Sequence, residues 1–108
     1  MDRFWLKDYP PGVPADVDVT LYRSLPELME ESFRKYAQRS AFDFMDHPLT
    51  YAELDRLSAA FGAWLQRKGL ARGARVAIMM PNVLQYPVAL AGVLRAGVLA
   101  YDMAYGPA

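Results

Sequence analysis

The stretch from Arg75 to Tyr101 constrains the fold more than any other part of the chain. Between Arg75 and Met80 the residues Val76, Ala77, Ile78, Met79 and Met80 run without a polar interruption. A strand with one wet face alternates apolar and polar residues, whereas an unbroken apolar run is the pattern of a parallel strand covered on both faces. Pro81 stops the run because its ring nitrogen donates nothing to a ladder. Asn82 is placed to cap a helix over residues 83–96, Gly97 ends that helix, and a second strand follows from Val98 to Tyr101. Strand, helix and strand in this order form a βαβ unit, which sets the fold class as α/β with parallel pairing. The helix carries only Gln85 and Arg95 as clearly polar residues, so it needs neighbours on more than one side. Pro87 is expected to kink or loosen its first turns.

Earlier segments supply some of those neighbours. Ser24 with Glu27 three residues on is a capping box, and Pro26 falls in the first turn, where a missing N–H costs little. Leu25, Leu28, Met29, Phe33 and Tyr36 then recur at helical spacing as one buried face. Ala41 to Met45 reads as a short strand and Asp46-His47-Pro48 as a turn. Thr50 and Glu53 form a second capping box, opening a helix striped by Tyr51, Leu54, Leu57, Ser58, Phe61 and Leu65. That helix ends at Gly69, a left-handed C-cap with Leu70 as its apolar contact. Residues 21–108 thus read as part of an α/β subdomain with helices, a short hairpin and one parallel βαβ unit. Residues 1–20 read as an extended arm, because three prolines between Tyr9 and Pro14 fix φ and remove donors. Its Phe4, Trp5, Leu6 and Tyr9 need a surface, on the chain's own domain or on a second subunit, with self-docking the expected arrangement.

Composition excludes several functions. The chain's 108 residues make one domain at most, or part of a larger one, and 54% apolar content supports a packed core. Twelve basic residues balance twelve acidic ones, leaving no net field to steer the chain to nucleic acid. Without cysteine there are no disulfides, thiolate nucleophiles or Cys-ligated metals. Asp2, Arg3, Lys7 and Asp8 interrupt any secretory signal, so a cytoplasmic chain is expected. Tyr86 to Tyr101 is the most membrane-like region, but Arg95 breaks it short of the roughly 20 apolar residues a spanning helix needs. It reads as core, with peripheral membrane contact left open.

Each candidate for chemistry has a plainer reading. His47 lies in a turn with no ordered partner in sight. The serines at 24, 32, 40 and 58 lack a Gly-x-Ser-x-Gly elbow. Glu30-Glu31 and Glu53-Asp55 are too close in sequence to face each other on a helix, and read as surface charge or capping. Gly69 and Gly73 precede a strand, whereas a dinucleotide fingerprint follows one; Pro81-Asn82 occupies that place instead. Arg67, Lys68, Arg72 and Arg75 read as a solvated basic loop. No catalytic, cofactor-binding or metal-binding residue is assigned.

The segments LTYAELDRLS (Leu49 to Ser58), GLARGARVAIMMPNVLQYPVAL (Gly69 to Leu90) and LRAG (Leu94 to Gly97) resemble bacterial long-chain fatty-acid–CoA ligases, members of the adenylate-forming superfamily. The Tyr-Pro-Pro-Gly-Val-Pro arm and Met79-Met80-Pro81-Asn82 with Gln85-Tyr86-Pro87 narrow the resemblance to the long-chain ligases. It implies an N-terminal part of an AMP-binding large domain. It also implies a full-length family that uses ATP, magnesium and coenzyme A to make an acyl-adenylate and then an acyl-CoA. The family's phosphate loop, metal motif and catalytic lysine map onto no residue here, so the chain is expected to be a truncated fragment, inactive alone and binding no cofactor itself. The alternative is a non-catalytic interaction or dimerisation module, self-associating or pairing with a full-length relative. After Tyr101 the residues Asp102 to Ala108 depart from the family's usual Asn-x-Asn-Pro-like turn.

Overall fold

Two helix starts written into the sequence organise the first half of the chain. In the computed structural model, which describes residues 2–102, Ser24 caps α1 (Leu25–Lys35) and Thr50 caps α2 (Tyr51–Arg67). At Thr50 both halves of the capping box are made: its hydroxyl accepts from the Glu53 N–H at 3.1 Å, and the Glu53 carboxylate accepts from the Thr50 N–H at 3.2 Å. At Ser24 only the first half forms, at 3.2 Å. The Glu27 carboxylate reaches back one residue further, to the N–H of Arg23 at 2.7 Å, which holds it below the usual carboxylate range. Helix α1 also buries less of its expected face. Phe33 is buried and Met29 packs against it, but Leu25 is 54% exposed and Leu28 is exposed too. The core takes Met29 and Phe33 from α1 and leaves Leu25 and Leu28 of its first turn outside.

Between the helices, β1 (Ser40–Phe44) and β2 (His47–Thr50) form an antiparallel hairpin. Its turn is Met45-Asp46, not Asp46-His47-Pro48. Both turn residues have positive φ, the backbone that matches a two-residue connection to the twist of its strands. His47 and Pro48 therefore belong to β2, with His47 opposite Phe44.

In the second half, β3 (Arg75–Ile78) and β4 (Leu99–Asp102) pair in parallel, with α3 (Gln85–Arg95) as the crossover. The expected βαβ unit is present. Helix α3 starts two residues later than expected and Asn82 does not cap it; Leu84 holds the N-cap position with no side-chain hydrogen bond. This start places Pro87 at the third helical position, where its missing N–H has no intrahelical partner to lose. Gly69, one residue past the Lys68 cap, takes φ of 79° and ends α2 as expected.

Helices α2 and α3 pack on one face of β3–β4. Leu65 of α2 and Val93 of α3 form a buried cluster with Ile78 and Val98. The opposite face, with Ala77, Met79 and Leu99, is exposed. The expectation that β3 is covered on both faces is thus met on one face only. Ahead of α1, Phe4–Asp8 forms a short 3-10 helix, and the Arg3 guanidinium grips Asp16 at 2.7 Å and the Ala15 carbonyl at 2.9 Å. That hydrogen bond and charge hold the Asp16 carboxyl below its ordinary range.

Candidate functional site

The most elaborate polar arrangement is built around Arg95, the residue that interrupts the apolar helix α3. Its side chain is 17% exposed and reaches across to both other helices. Nη1 lies 2.7 Å from Asp55 Oδ1, 2.9 Å from the Asp55 carbonyl oxygen and 2.9 Å from Ser58 Oγ. Nε lies 3.3 Å from Glu30 Oε1 on α1, and the guanidinium carbon is 5.6 Å from the centre of the Phe33 ring. Ser58, fully buried, donates its hydroxyl proton to the Asp55 carbonyl at 3.1 Å and accepts from Arg95. One planar fork thus ties three helices together, which a lysine's point charge would not do.

Close backbone approach makes that reach possible. A Cβ added to Gly62 would lie 3.0 Å from the Gly92 carbonyl oxygen. One added to Gly92 would lie 3.0 Å from the Ser58 carbonyl oxygen and 2.6 Å from Phe61 Cδ1. Ser58 and Gly62 on α2, and Gly92 on α3 and Ala96 at its C-cap, are each four residues apart and so share a helix face. Sequence reasoning places Ser58 on the buried stripe and Arg95 as the polar break in the apolar helix, but it gives no role to Gly62, Gly92 or Ala96 and does not bring the set together. The signal available was the four-residue spacing of small residues within otherwise bulky stripes.

Beside this seam lies an apolar cleft of about 360 Å³ between the hairpin and the start of α3, lined by Phe42, Phe44, Leu84, Pro87 and Leu90, with Asp43 and Asn82 among its polar residues. A second cleft of about 270 Å³ shares Phe42, Pro87 and Leu90 and reaches Phe33. Neither is lined by a basic side chain, so both suit apolar groups better than anions.

The sequence candidates are scattered. His47 is exposed on β2. Ser24 serves as a cap, Ser58 serves the Arg95 network, and the hydroxyl of Ser40 donates to the Phe42 carbonyl. Glu30 and Asp55 are not free surface charge: from different helices, both are ion-paired with Arg95. Glu53 is a cap. Arg67, Lys68, Arg72 and Arg75 are exposed, with the Lys68 ammonium 4.9 Å from the centre of the Trp64 ring. Among the described residues no cluster of three or more His, Asp or Glu side chains could hold a metal ion, and no helix is long and apolar enough to cross a membrane. Hydrogen bonds and ion pairs at Arg95 stabilise helix packing; they present no nucleophile beside a base.

Comparison with known proteins adds what this geometry lacks. The profile of the family described as "AMP-binding enzyme" matches residues 29–103. A long-chain-fatty-acid–CoA ligase of Yersinia pestis is 48% identical over 95% of this chain, and the chain spans 18% of that protein's length. Among solved structures, VinN superposes with a TM-score of 0.72 at 31% identity, over 78% of this chain and 22% of VinN. A fatty acid AMP ligase from Legionella pneumophila superposes at 0.71 and 24% identity, over 88% of this chain and 17% of the ligase, a likeness of fold.

Proposed function

The chain belongs to the AMP-binding enzyme family, and on that premise we propose that it is the N-terminal segment of a long-chain fatty-acid–CoA ligase, contributing scaffold rather than reacting groups. The observation that carries this reading is the 48% identity sustained over 95% of the chain to a ligase of which it spans only 18%. A free-standing interaction module is not favoured, because the likeness runs through the capped helices and the βαβ unit alike.

In this reading ATP, magnesium and coenzyme A serve the whole ligase and are not held by this segment. A metal-bound triphosphate needs convergent backbone N–H groups, a lysine and metal-holding oxygens. The strand-to-helix turn here carries Pro81, which has no N–H, and the exposed Arg72 and Arg75 lie before β3 and at its start, away from that turn. The described residues do not fit such a ligand, and no step of carboxyl activation is assigned to them.

The test replaces the matching segment of the Yersinia pestis ligase with this chain. The chimera should form acyl-CoA from a long-chain fatty acid, ATP and magnesium. The 108-residue chain alone should release no pyrophosphate and show no micromolar ATP binding by titration calorimetry. Weak attraction to scattered arginines would vanish with salt. A folded but inert chimera, or turnover by the chain alone, would overturn the reading.

A further inference from the structure

We infer that the loop joining α2 to β3, with the last turns of α2, is a contact site for an anionic lipid surface, in which Trp64 and Leu70 are the apolar anchors. Charge is segregated along the sequence. From Arg56 to Tyr101 there is no acidic residue, while Arg56, Arg67, Lys68, Arg72, Arg75 and Arg95 all fall there. Arg95 is neutralised internally by Asp55 and Glu30. Arg67, Lys68, Arg72 and Arg75 are exposed, and none of them is ion-paired among the described residues. Asp102 pairs in register with Ile78, at the far end of the parallel pair from Arg75. Apolar side chains sit among these charges. Trp64 is 46% exposed and Leu70 39%, and the Lys68 ammonium lies 4.9 Å from the centre of the Trp64 ring. That ring is seated by stacking on Phe61, with centroids 5.8 Å apart. Trp64, Arg67 and Lys68 share one face of α2, being three and four residues apart.

The position and make-up of the patch select its occupant. It lies before the amino end of β3, whereas open α/β sheets bind small ligands beyond the carboxyl ends of their strands. The Gly69 and Ala74 N–H groups donate to the carbonyls of Gln66 and Ala71, so the loop offers no nest of free donors for a lone phosphate. Twelve basic and twelve acidic residues leave no net field to draw in nucleic acid. An anionic bilayer needs what the patch has: clustered lysine and arginine for the headgroups, and an exposed tryptophan at their level. The apolar run over residues 86–101 is not the contact, because Ala91, Gly92, Val93 and Val98 within it are buried.

The test uses the 108-residue chain with Trp5→Phe, which leaves Trp64 as the only tryptophan. With vesicles of phosphatidylglycerol and phosphatidylcholine the chain should co-sediment and its emission should shift to the blue. With phosphatidylcholine alone it should do neither, and added salt should weaken the binding. Arg67→Gln with Lys68→Gln should weaken it about tenfold or more. Arg34→Gln with Lys35→Gln removes the same charge from exposed side chains of α1 and should change binding by less than about twofold. The swap Arg67→Lys with Lys68→Arg keeps the charge and should bind like the parent, which separates a lost contact from a lost fold. Equal losses in the two glutamine pairs overturn the inference, since any positive charge would then serve. So does sedimentation without a blue shift, or equal binding to phosphatidylcholine alone. Stronger displacement by inorganic phosphate than by chloride at the same ionic strength would make the patch a phosphate site. Retention on polyglutamate with the same blue shift would make the occupant an acidic peptide; either result overturns the lipid assignment. In the chimera with the Yersinia pestis ligase the variants should sediment in the same order. A patch silent there is covered in the whole protein, and the inference fails. Acyl-CoA formation by the same chimera reports on the proposed function separately, and neither vesicle result decides it.

Discussion

On the inner face of β3–β4, Ile78 and Val98 are buried beneath Leu65 and Val93; on the outer face, Ala77, Met79 and Leu99 meet solvent. Residue types on the two faces are nearly interchangeable. What differs is whether the chain supplies a partner. The inner face is covered by α2 and α3, which approach closely enough that a Cβ at Gly92 would lie 2.6 Å from Phe61 Cδ1 and one at Gly62 3.0 Å from the Gly92 carbonyl oxygen. An apolar strand pattern therefore states that a face needs cover without stating that the cover lies within the same segment.

The contrast breaks most sharply at Gly92. A leucine there would drive its Cβ to within 3.0 Å of the Ser58 carbonyl, a backbone atom, and into the Phe61 ring. Phe61 can swing away, but the α2 backbone cannot without separating the helices. Gly92→Leu should cost about 3 kcal/mol, at the upper end for overpacking. A thermal melt unchanged by the substitution would show that the helices are not in such close contact.

Arg95 comes next. Replacing it with methionine keeps most of the packing and removes the charge that Asp55 and Glu30 face. Breaking a fully buried pair costs about 3–5 kcal/mol, but these carboxylates are 40% and 42% exposed and water screens them. Arg95→Met should therefore cost about 2 kcal/mol. A double-mutant cycle with Asp55→Asn should show coupling between the two sites. Strict additivity would mean the ion pair contributes nothing.

These two sites also mark where sequence reading reached its limit. The βαβ unit and the Thr50 capping box were legible because each is coded within a few residues by spacing and side-chain type. Asn82 misled because Pro87 competes for the same helix start, and the position that spares a hydrogen bond prevails. The hairpin turn moved by one residue because Met45 and Asp46 adopt positive φ without the glycine that usually announces it. Arg95 meets Asp55 across 40 residues of sequence, and no local period records a contact of that range. Glu30 and Asp55 looked like surface charge for the same reason. As for the site, the sequence supplied no reacting group, and it gave no sign of the cleft between hairpin and α3, which depends on how two elements lie together.

A milder perturbation bears on the inner layer from its edge. Thr50→Ala removes the oxygen that accepts from the Glu53 N–H and leaves the backbone N–H that donates to the Glu53 carboxylate. The expected loss is about 1 kcal/mol, the usual value of a cap. Helix α2 carries Leu54, Ser58 and Leu65 into the core, so the loss should appear in the global melting transition rather than as local fraying. A full-size effect confined to exchange of the first-turn amides would mean that α2 can fray without loosening the inner layer.

The smallest effect is expected on the outer face, and its smallness is informative. Met79 is 60% exposed, so folding this segment removes little of its surface from water. Replacing it with glutamine keeps the unbranched shape and exchanges a thioether for an amide that solvent can satisfy. Surface changes of this kind fall within about 0.5 kcal/mol of neutral. In the isolated chain, Met79→Gln should therefore leave the melting temperature nearly unchanged. In the chimera with the Yersinia pestis ligase the same substitution acts on the outer face of a parallel pair, and parallel sheets bury both faces. An amide buried there without a partner costs about 1–3 kcal/mol. The prediction is thus a difference between two backgrounds, and it separates a face that is merely apolar from one that is waiting for cover. A loss of similar size in both backgrounds would mean that Met79 is already buried in the free chain. A neutral result in both would leave the outer face wet in the whole ligase, and the two faces of β3–β4 would then differ in role and not only in cover.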